Sequence, residues 1–423
     1  MLPSHLTQLN RDGWLLFAAR IARMFGYGFL AVVLALYLSA VGLDETQIGL
    51  LLTLTLVGDT AISLWMSTHA DRYGRRLMLI LGSLLVVGAG GLFIATDQFL
   101  VLLLAATIGV ISPSGYEVGP FLAIEQSALS QLVADDRRTS TFAWYNLVGS
   151  FATAAGSLTG GGLARLGQQW RMTPLESYRA VLVGYALIGL VLAGIFWRLS
   201  QAVEVRPASP HPHAAPASRL GLHGSGRVVL RLASLFTLDA FAGGFVLQSI
   251  VAYWFYLRFA ANEAMLGTIF FGANLLAGIS ALAASSIASR IGLVNTMVFT
   301  HLPSNVLLML VPLMPTLPLA ILVLLVRFSI SQMDVPTRQS YTMAIVSPAE
   351  RSAAAGITGT ARTVGASLAP VCSGLLLSNP ALMSGPFFLA GGLKILYDLL
   401  LLAAFRGLKP PEEREGGERT KRI

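Results

Sequence analysis

Residues 70–76 read Ala70-Asp71-Arg72-Tyr73-Gly74-Arg75-Arg76, a short charged loop between two long apolar runs at 46–69 and 76–95. A helix rises 1.5 Å per residue, so about 20 apolar residues cross a hydrocarbon layer of about 30 Å. Both flanks meet that length. In lipid the backbone has to satisfy its own hydrogen bonds, and a helix does so within one segment. The stretch therefore predicts two membrane-spanning helices and the polar turn between them. Outward from it the pattern recurs, at 14–40, 98–133, 141–166 and 178–200, then at 229–258, 264–289, 294–313, 318–346, 352–378 and 385–405. The expected fold is all-α and integral to the membrane, with twelve transmembrane helices in two six-helix halves.

Composition agrees. The 423 residues are 55% hydrophobic and only 12% charged, too little polar surface for a soluble chain of this size. Met1 to Gly13 is polar and eleven more apolar runs follow the first, so a cleaved signal peptide is not expected. The net charge of +8 reads as topology rather than nucleic-acid binding. Basic residues gather in alternate loops: Arg72, Arg75 and Arg76; Arg137 and Arg138; Arg198, Arg206, Arg219 and Arg227; Arg290; Arg351; and the tail beyond Arg406. The intervening loops carry Asp44, Glu45, Asp97 and Glu263, the exception being 165–179 with its three arginines. The positive-inside rule then places both termini and the 201–228 stretch in the cytoplasm. A multi-pass position in a cell membrane, the bacterial inner membrane, is expected, with the lipid bilayer as partner and a monomer as the unit.

The 201–228 stretch, rich in Pro, Ala and Ser, reads as a linker between halves at 1–200 and 229–405, with a charged tail at 406–423. The halves look duplicated. At an offset of 213, Gln126-Ser127 matches Gln339-Ser340, Arg138 matches Arg351, and Gly156-Ser157-x-x-Gly160-Gly161 matches Ala369-Pro370-x-x-Ser373-Gly374. At an offset of 218, residues 70–74 match Ala288-Ser289-Arg290-Ile291-Gly292. Parallel six-helix repeats joined by a cytoplasmic loop are the plan of one large transporter fold.

The loop at 70–76 resembles the signature of the major facilitator superfamily, roughly G-x-x-x-D-R-x-G-R-[KR]. The resemblance extends over the whole chain through its six-plus-six layout. Ser67 stands at the position of the family's first glycine, and Ser157 at the proline of the drug exporters' fifth-helix motif. The fourth-helix arginine of those exporters has no counterpart in 99–120. The resemblance implies that Asp71, Arg72, Gly74, Arg75 and Arg76 form a cytoplasmic gate. It also implies that the first, fourth, seventh and tenth spans line a central cavity.

Charges inside apolar runs are costly unless paired or hydrated, and so mark candidate sites. They are Asp59 in the second span, Glu117 and Glu125 in the fourth, Asp239 in the seventh, and Arg327, Asp334 and Arg338 in the tenth, with Arg362 in the eleventh. Glu117 lies in Ser112-Pro113-Ser114-Gly115-Tyr116-Glu117-Val118-Gly119-Pro120, and Asp334 in Gln332-Met333-Asp334-Val335-Pro336. An acid followed by proline in corresponding helices of the two halves points to a break beside a cavity. Asp239 with Gly243-Gly244 and Gln248 repeats the pattern. Asp59, Glu117, Asp239, Asp334, Arg327 and Gln248 are accordingly the expected binding residues for substrate and proton. Glu125 and Arg338 are expected to pair with each other, Lys394 to pair with Asp398 at i,i+4, and Arg20 and Arg23 to snorkel to the membrane surface.

No His/Cys cluster has metal-ligand spacing, and Gly160-Gly161-Gly162 follows no strand, so neither a metal nor a nucleotide cofactor is expected. The functional expectation is proton-coupled movement of a small organic solute by alternating access, in the efflux direction as an antiporter. A facilitator or metal-cation carrier of the same fold is an alternative. From other classes, a transporter-like receptor or a membrane-embedded enzyme remains open.

Overall fold

A computed structural model describes residues 9–116, 119–134, 137–204, 224–347 and 350–408. Its helices are α1 (Arg11–Ala31), α2 (Leu34–Ala40), α3 (Glu45–Tyr73), α4 (Arg75–Ala95), α5 (Phe99–Ile108), α6 (Phe121–Leu132), α7 (Arg138–Gln169) and α8 (Pro174–Trp197). They continue with α9 (Gly226–Gly244), α10 (Gln248–Phe259), α11 (Glu263–Ile291), α12 (Leu293–Leu310), α13 (Leu317–Phe328), α14 (Asp334–Ala344), α15 (Arg351–Leu377) and α16 (Gly385–Phe405). Among the described residues there is no strand. Among the described residues, eight helical spans are long and apolar enough to cross a membrane, one of them α9 and α10 together, and nine if α1 and α2, bent by 43°, count as one.

Local chemistry sets several boundaries. Asp44 and Gln47 form a reciprocal capping box at the start of α3, and Thr173 and Glu176 do the same for α8, with Pro174 in its first turn. Between α3 and α4 the chain turns at Gly74 with φ +104°, a conformation that a Cβ disfavours.

The expected breaks in the fourth, seventh and tenth spans are present as the gaps α5/α6, α9/α10 and α13/α14. A further one, at Val32-Val33 between α1 and α2, has no Gly or Pro to announce it. Among the described residues of the 109–120 gap, three freed carbonyls find partners, as membrane depth requires. Tyr185 Oη donates to the Val110 carbonyl at 2.6 Å and Ser249 N–H to that of Pro113 at 3.0 Å. Ser112 Oγ donates to the Tyr116 carbonyl at 2.7 Å.

The chain forms two compact units. One comprises the described residues within 1–207, 247–275 and 370–383, the other those within 208–246, 276–369 and 384–423. In the first, α1 packs along α7 and α4 along α8. In the second, α16 packs against both α9 and α12, and α12 also against α14. The core of this second unit is Leu232, Phe236, Met297, Val298, Tyr341, Tyr397, Leu401 and Phe405.

Candidate functional site

The second unit places Asp239 of α9 at the centre of a buried charge network. Its Oδ2 accepts from Arg338 Nη1 of α14 and from Arg362 Nη1 of α15, each at 3.1 Å. Its Oδ1 accepts from Lys394 Nζ of α16 at 2.5 Å. The same Arg338 nitrogen reaches Asp334 Oδ2, one helical turn earlier, at 3.0 Å. Behind this group His301 Nδ1 of α12 stands 2.9 Å from Asp398 Oδ1, and Asn305 Nδ2 donates to Asp398 Oδ2 at 2.9 Å. Asp239, Asp334 and Arg338 are each at least 94% buried, so desolvation is severe and each charge depends on its partners.

Of the predicted site residues, the structure therefore joins Asp239 and Asp334 through Arg338. Arg327 is not brought to them: its guanidinium lies over the Phe328 ring, 4.9 Å from the centroid. Glu117 lies outside the described residues. The expected Lys394–Asp398 pairing is corrected. α16 turns Lys394 to Asp239, while Asp398 is held by His301 and Asn305. Spacing of four permits a pair, but a nearer buried partner on another helix wins. His301, Asn305 and Lys394 are site residues that sequence reasoning missed.

The first unit has its own buried ion pair. Arg23 Nη1 and Nη2 of α1 donate to the two oxygens of Glu125 on α6 at 2.5 and 2.7 Å. Tyr145 Oη also donates to Glu125. The expected pairing of Glu125 with Arg338 gives way to this fork, since a bidentate guanidinium satisfies both carboxylate oxygens at once. Arg23 is 1% exposed and Arg20 6%, so neither snorkels: both turn inward, Arg23 to Glu125 and Arg20 over the Tyr145 ring. Asp59 is buried on α3, and among the described residues its Oδ1 has no hydrogen-bond partner. Gln248, at the start of α10, donates through Nε2 to Ser157 Oγ at 3.2 Å and accepts from Asn274 Nδ2 at 3.1 Å.

Two backbone crossings also lie in this unit. A Cβ on Gly161 of α7 would fall 2.2 Å from the Glu263 carbonyl and 2.9 Å from Gly267 Cα of α11. A Cβ on Gly374 of α15 would fall 2.3 Å from the Glu45 carbonyl and 3.0 Å from Gly49 Cα of α3. Each crossing carries an acid. The Glu263 carboxylate accepts from Gln168 Nε2 at 2.8 Å and Tyr178 Oη at 2.5 Å, and that of Glu45 accepts from Tyr253 Oη at 3.0 Å.

The Asp71–Arg76 loop is pinned by a residue the sequence did not single out. Glu204 accepts from the Arg75 N–H at 2.7 Å and the Arg76 N–H at 3.2 Å, occupying the start of α4 where donors are unpaired. Arg75 is buried and reaches Asp71 at 3.0 Å and the Val203 carbonyl at 3.2 Å. Arg72 lies exposed over Tyr73.

Buried charges on packed, broken helices suit a translocation machine, and comparison with known proteins decides the family. The sequence model described as Major Facilitator Superfamily matches residues 16–331 and 232–422. The chain belongs to the Major Facilitator Superfamily. It is a multi-pass membrane protein and a transporter, not an enzyme. As a superfamily member it is 30% identical over 426 residues to the uncharacterized membrane protein YJR124C of Saccharomyces cerevisiae, across 94% of this chain and 95% of that one. Among solved structures it resembles a D-xylose-proton symporter, with TM-score 0.72 and 15% identity over 94% of this chain and 97% of the other. The nucleoside transporter NupG gives 0.70 and 13%, over 94% and 99%. A bacterial homolog of the human lysosomal transporter Spinster, inward-facing and unoccupied, gives 0.68 and 15%, over 93% and 94%. At these identities the structural likeness concerns the fold.

Proposed function

We propose that this superfamily member is a proton-coupled secondary transporter that moves a small organic solute by alternating access, in the direction of efflux. The observation that carries the reading is Asp239. A carboxylate buried beside a break in its span and held by cations from α14, α15 and α16 is costly to build for stability alone. It is well suited to couple helix movements to a proton. Asp59 supports the same reading from the first unit, because a carboxylate buried on α3 is costly to keep charged and a proton relieves that cost. Two structural relatives named as transporters of a nucleoside and of D-xylose with a proton favour a small organic cargo.

The architecture proposed is twelve spans in two pseudo-symmetric halves, 1–200 and 229–405, joined by a cytoplasmic linker at 201–228 and followed by a tail at 406–423, in the cell membrane of a bacterium. What supports the duplication is that Glu45 and Gly49 stand 218 residues before Glu263 and Gly267, and Gly161 stands 213 before Gly374. The two glycine crossings thus use the offsets at which the sequence repeats. Small residues there let helices approach and slide, as rocking halves require. The Asp71–Arg76 loop is proposed as the cytoplasmic gate, anchored by Glu204.

The test is direct. The full chain is reconstituted into liposomes loaded with the pH dye pyranine and challenged with sugars, nucleosides, amino acids, organic acids and hydrophobic cations. At least one class is expected to move lumenal pH in protein-containing vesicles only. Solute movement that proceeds with no pH change and no response to an imposed gradient would make the protein a facilitator.

A further inference from the structure

The Asp239 network includes one imidazole, that of His301. His301 is buried on α12, with Nδ1 2.9 Å from Asp398 Oδ1 and 3.3 Å from Asn305 Nδ2. The Asn305 amide donates to Asp398 Oδ2 at 2.9 Å, so the ring proton is assigned, from the network, to Nδ1, where it is donated to Asp398. Nε2 then faces Asp239 Oδ1 at 3.9 Å. That oxygen is the one that takes Lys394 Nζ at 2.5 Å. Two nitrogens address one carboxylate oxygen, and one of them already occupies it.

The charges around the ring can be counted element by element. Asp239 of α9 and Asp398 and the Tyr397 ring of α16 stand against it; through Asp239 the network adds Arg338 and with it Asp334 of α14, Arg362 of α15 and Lys394 of α16, while Arg327 of α13 lies over Phe328. Among the described residues, three cations stand against three carboxylates in the network, which is neutral while His301 carries no charge. A proton on Nε2 with Lys394 in place would leave a buried net positive charge, and loss of Lys394 without that proton a buried net negative one. The two events cancel when they happen together.

We propose that His301 is the exchange partner of Lys394 at Asp239. As the ammonium withdraws from Oδ1, one proton from water binds His301 Nε2, and the imidazolium takes the ammonium's place while Nδ1–H stays on Asp398. One N–H bond forms, one proton leaves the aqueous phase, and nothing is oxidised. His301 is thus the proton-accepting residue, and Asp398 and Asn305 are positioning residues that fix its tautomer. The inference rests on Asp239 being the coupling site, and its test uses no solute, so either can fail without the other.

The measurement is the nitrogen NMR spectrum of the full chain in lipid nanodiscs with 15N-labelled histidine. The chain has six histidines, and His301→Gln identifies the resonances of the one in question. At pH 7 the wild type shows His301 as the neutral Nδ1–H form. Lys394→Gln turns it cationic at the same pH, the ratio of charged to neutral ring rising about tenfold or more. Lys394→Arg leaves it neutral, and Asp398→Asn removes the preference for Nδ1–H. Lys394→Met, which keeps the packing of the stem, repeats the test should Lys394→Gln fail to fold. A His301 that stays neutral in folded Lys394→Gln or Lys394→Met, or is already cationic in the wild type, overturns the proposal.

Discussion

At the scale of single residues, the arrangement is governed by what burial demands of charge. Arg23 and Glu125 are both fully withdrawn from water and satisfy one another through two hydrogen bonds. Removing one member of such a pair leaves the other uncompensated. Glu125→Gln is therefore expected to destabilise the chain by about 3–5 kcal/mol, whereas Arg23→Met with Glu125→Leu should recover most of the loss. Thermal unfolding in detergent checks both, and a double variant no better than the single would refute the pairing argument. The acids themselves were legible in the sequence, because a carboxylate in an apolar run stands out. Their partners were not: Lys394 and Asp398 are spaced as a pair, and only the packing of α16 against α9 and α12 shows that each turns to a different neighbour. Glu204 was illegible for a similar reason, since its target is 129 residues away at Arg75 N. Glu204→Ala should cost about 1 kcal/mol, the worth of a helix cap, read as a lowered midpoint of unfolding.

At the scale of elements, glycine and proline decided what could be read. The gap between α5 and α6 was announced by Pro113, Gly115, Gly119 and Pro120, and the end of α9 by Gly243-Gly244. The gap at Val32-Val33 carries no such mark, and both residues are buried. Glycines on α7 meet different surroundings that composition cannot distinguish. A Cβ on Gly156 would fall 2.0 Å from the Phe25 carbonyl on α1, while one on Gly162 meets nothing within 4 Å. Gly156→Ala is expected to push α1 off α7 and cost about 1–3 kcal/mol, with loss of folded yield. Gly162→Ala should be neutral or gain up to about 1 kcal/mol from helix propensity. Equal effects of the two substitutions on yield and unfolding midpoint would contradict the close approach of α1 and α7.

At the scale of the molecule, the claim is that a buried network couples a proton to the movement of a solute. Membrane class and superfamily were readable from apolar run lengths and the 70–76 loop, because lipid leaves the backbone few alternatives. The cargo was not, since substrate choice depends on a few side chains whose placement the periodicity of a helix does not encode. If Asp239 and Asp334 carry the coupling, neutralising either should stop transport driven by a pH gradient. At least one of the variants should spare exchange, which runs between loaded states without proton release. The decisive measurement pairs two fluxes in the same proteoliposomes, with the solute that moves lumenal pH in the dye assay: gradient-driven transport and solute counterflow, for wild type, Asp239→Asn and Asp334→Asn. Gradient-driven flux is expected to fall to the level of empty vesicles in both variants, with counterflow retained in at least one. Wild-type gradient-driven flux in both variants would contradict that coupling and leave the network as scaffold.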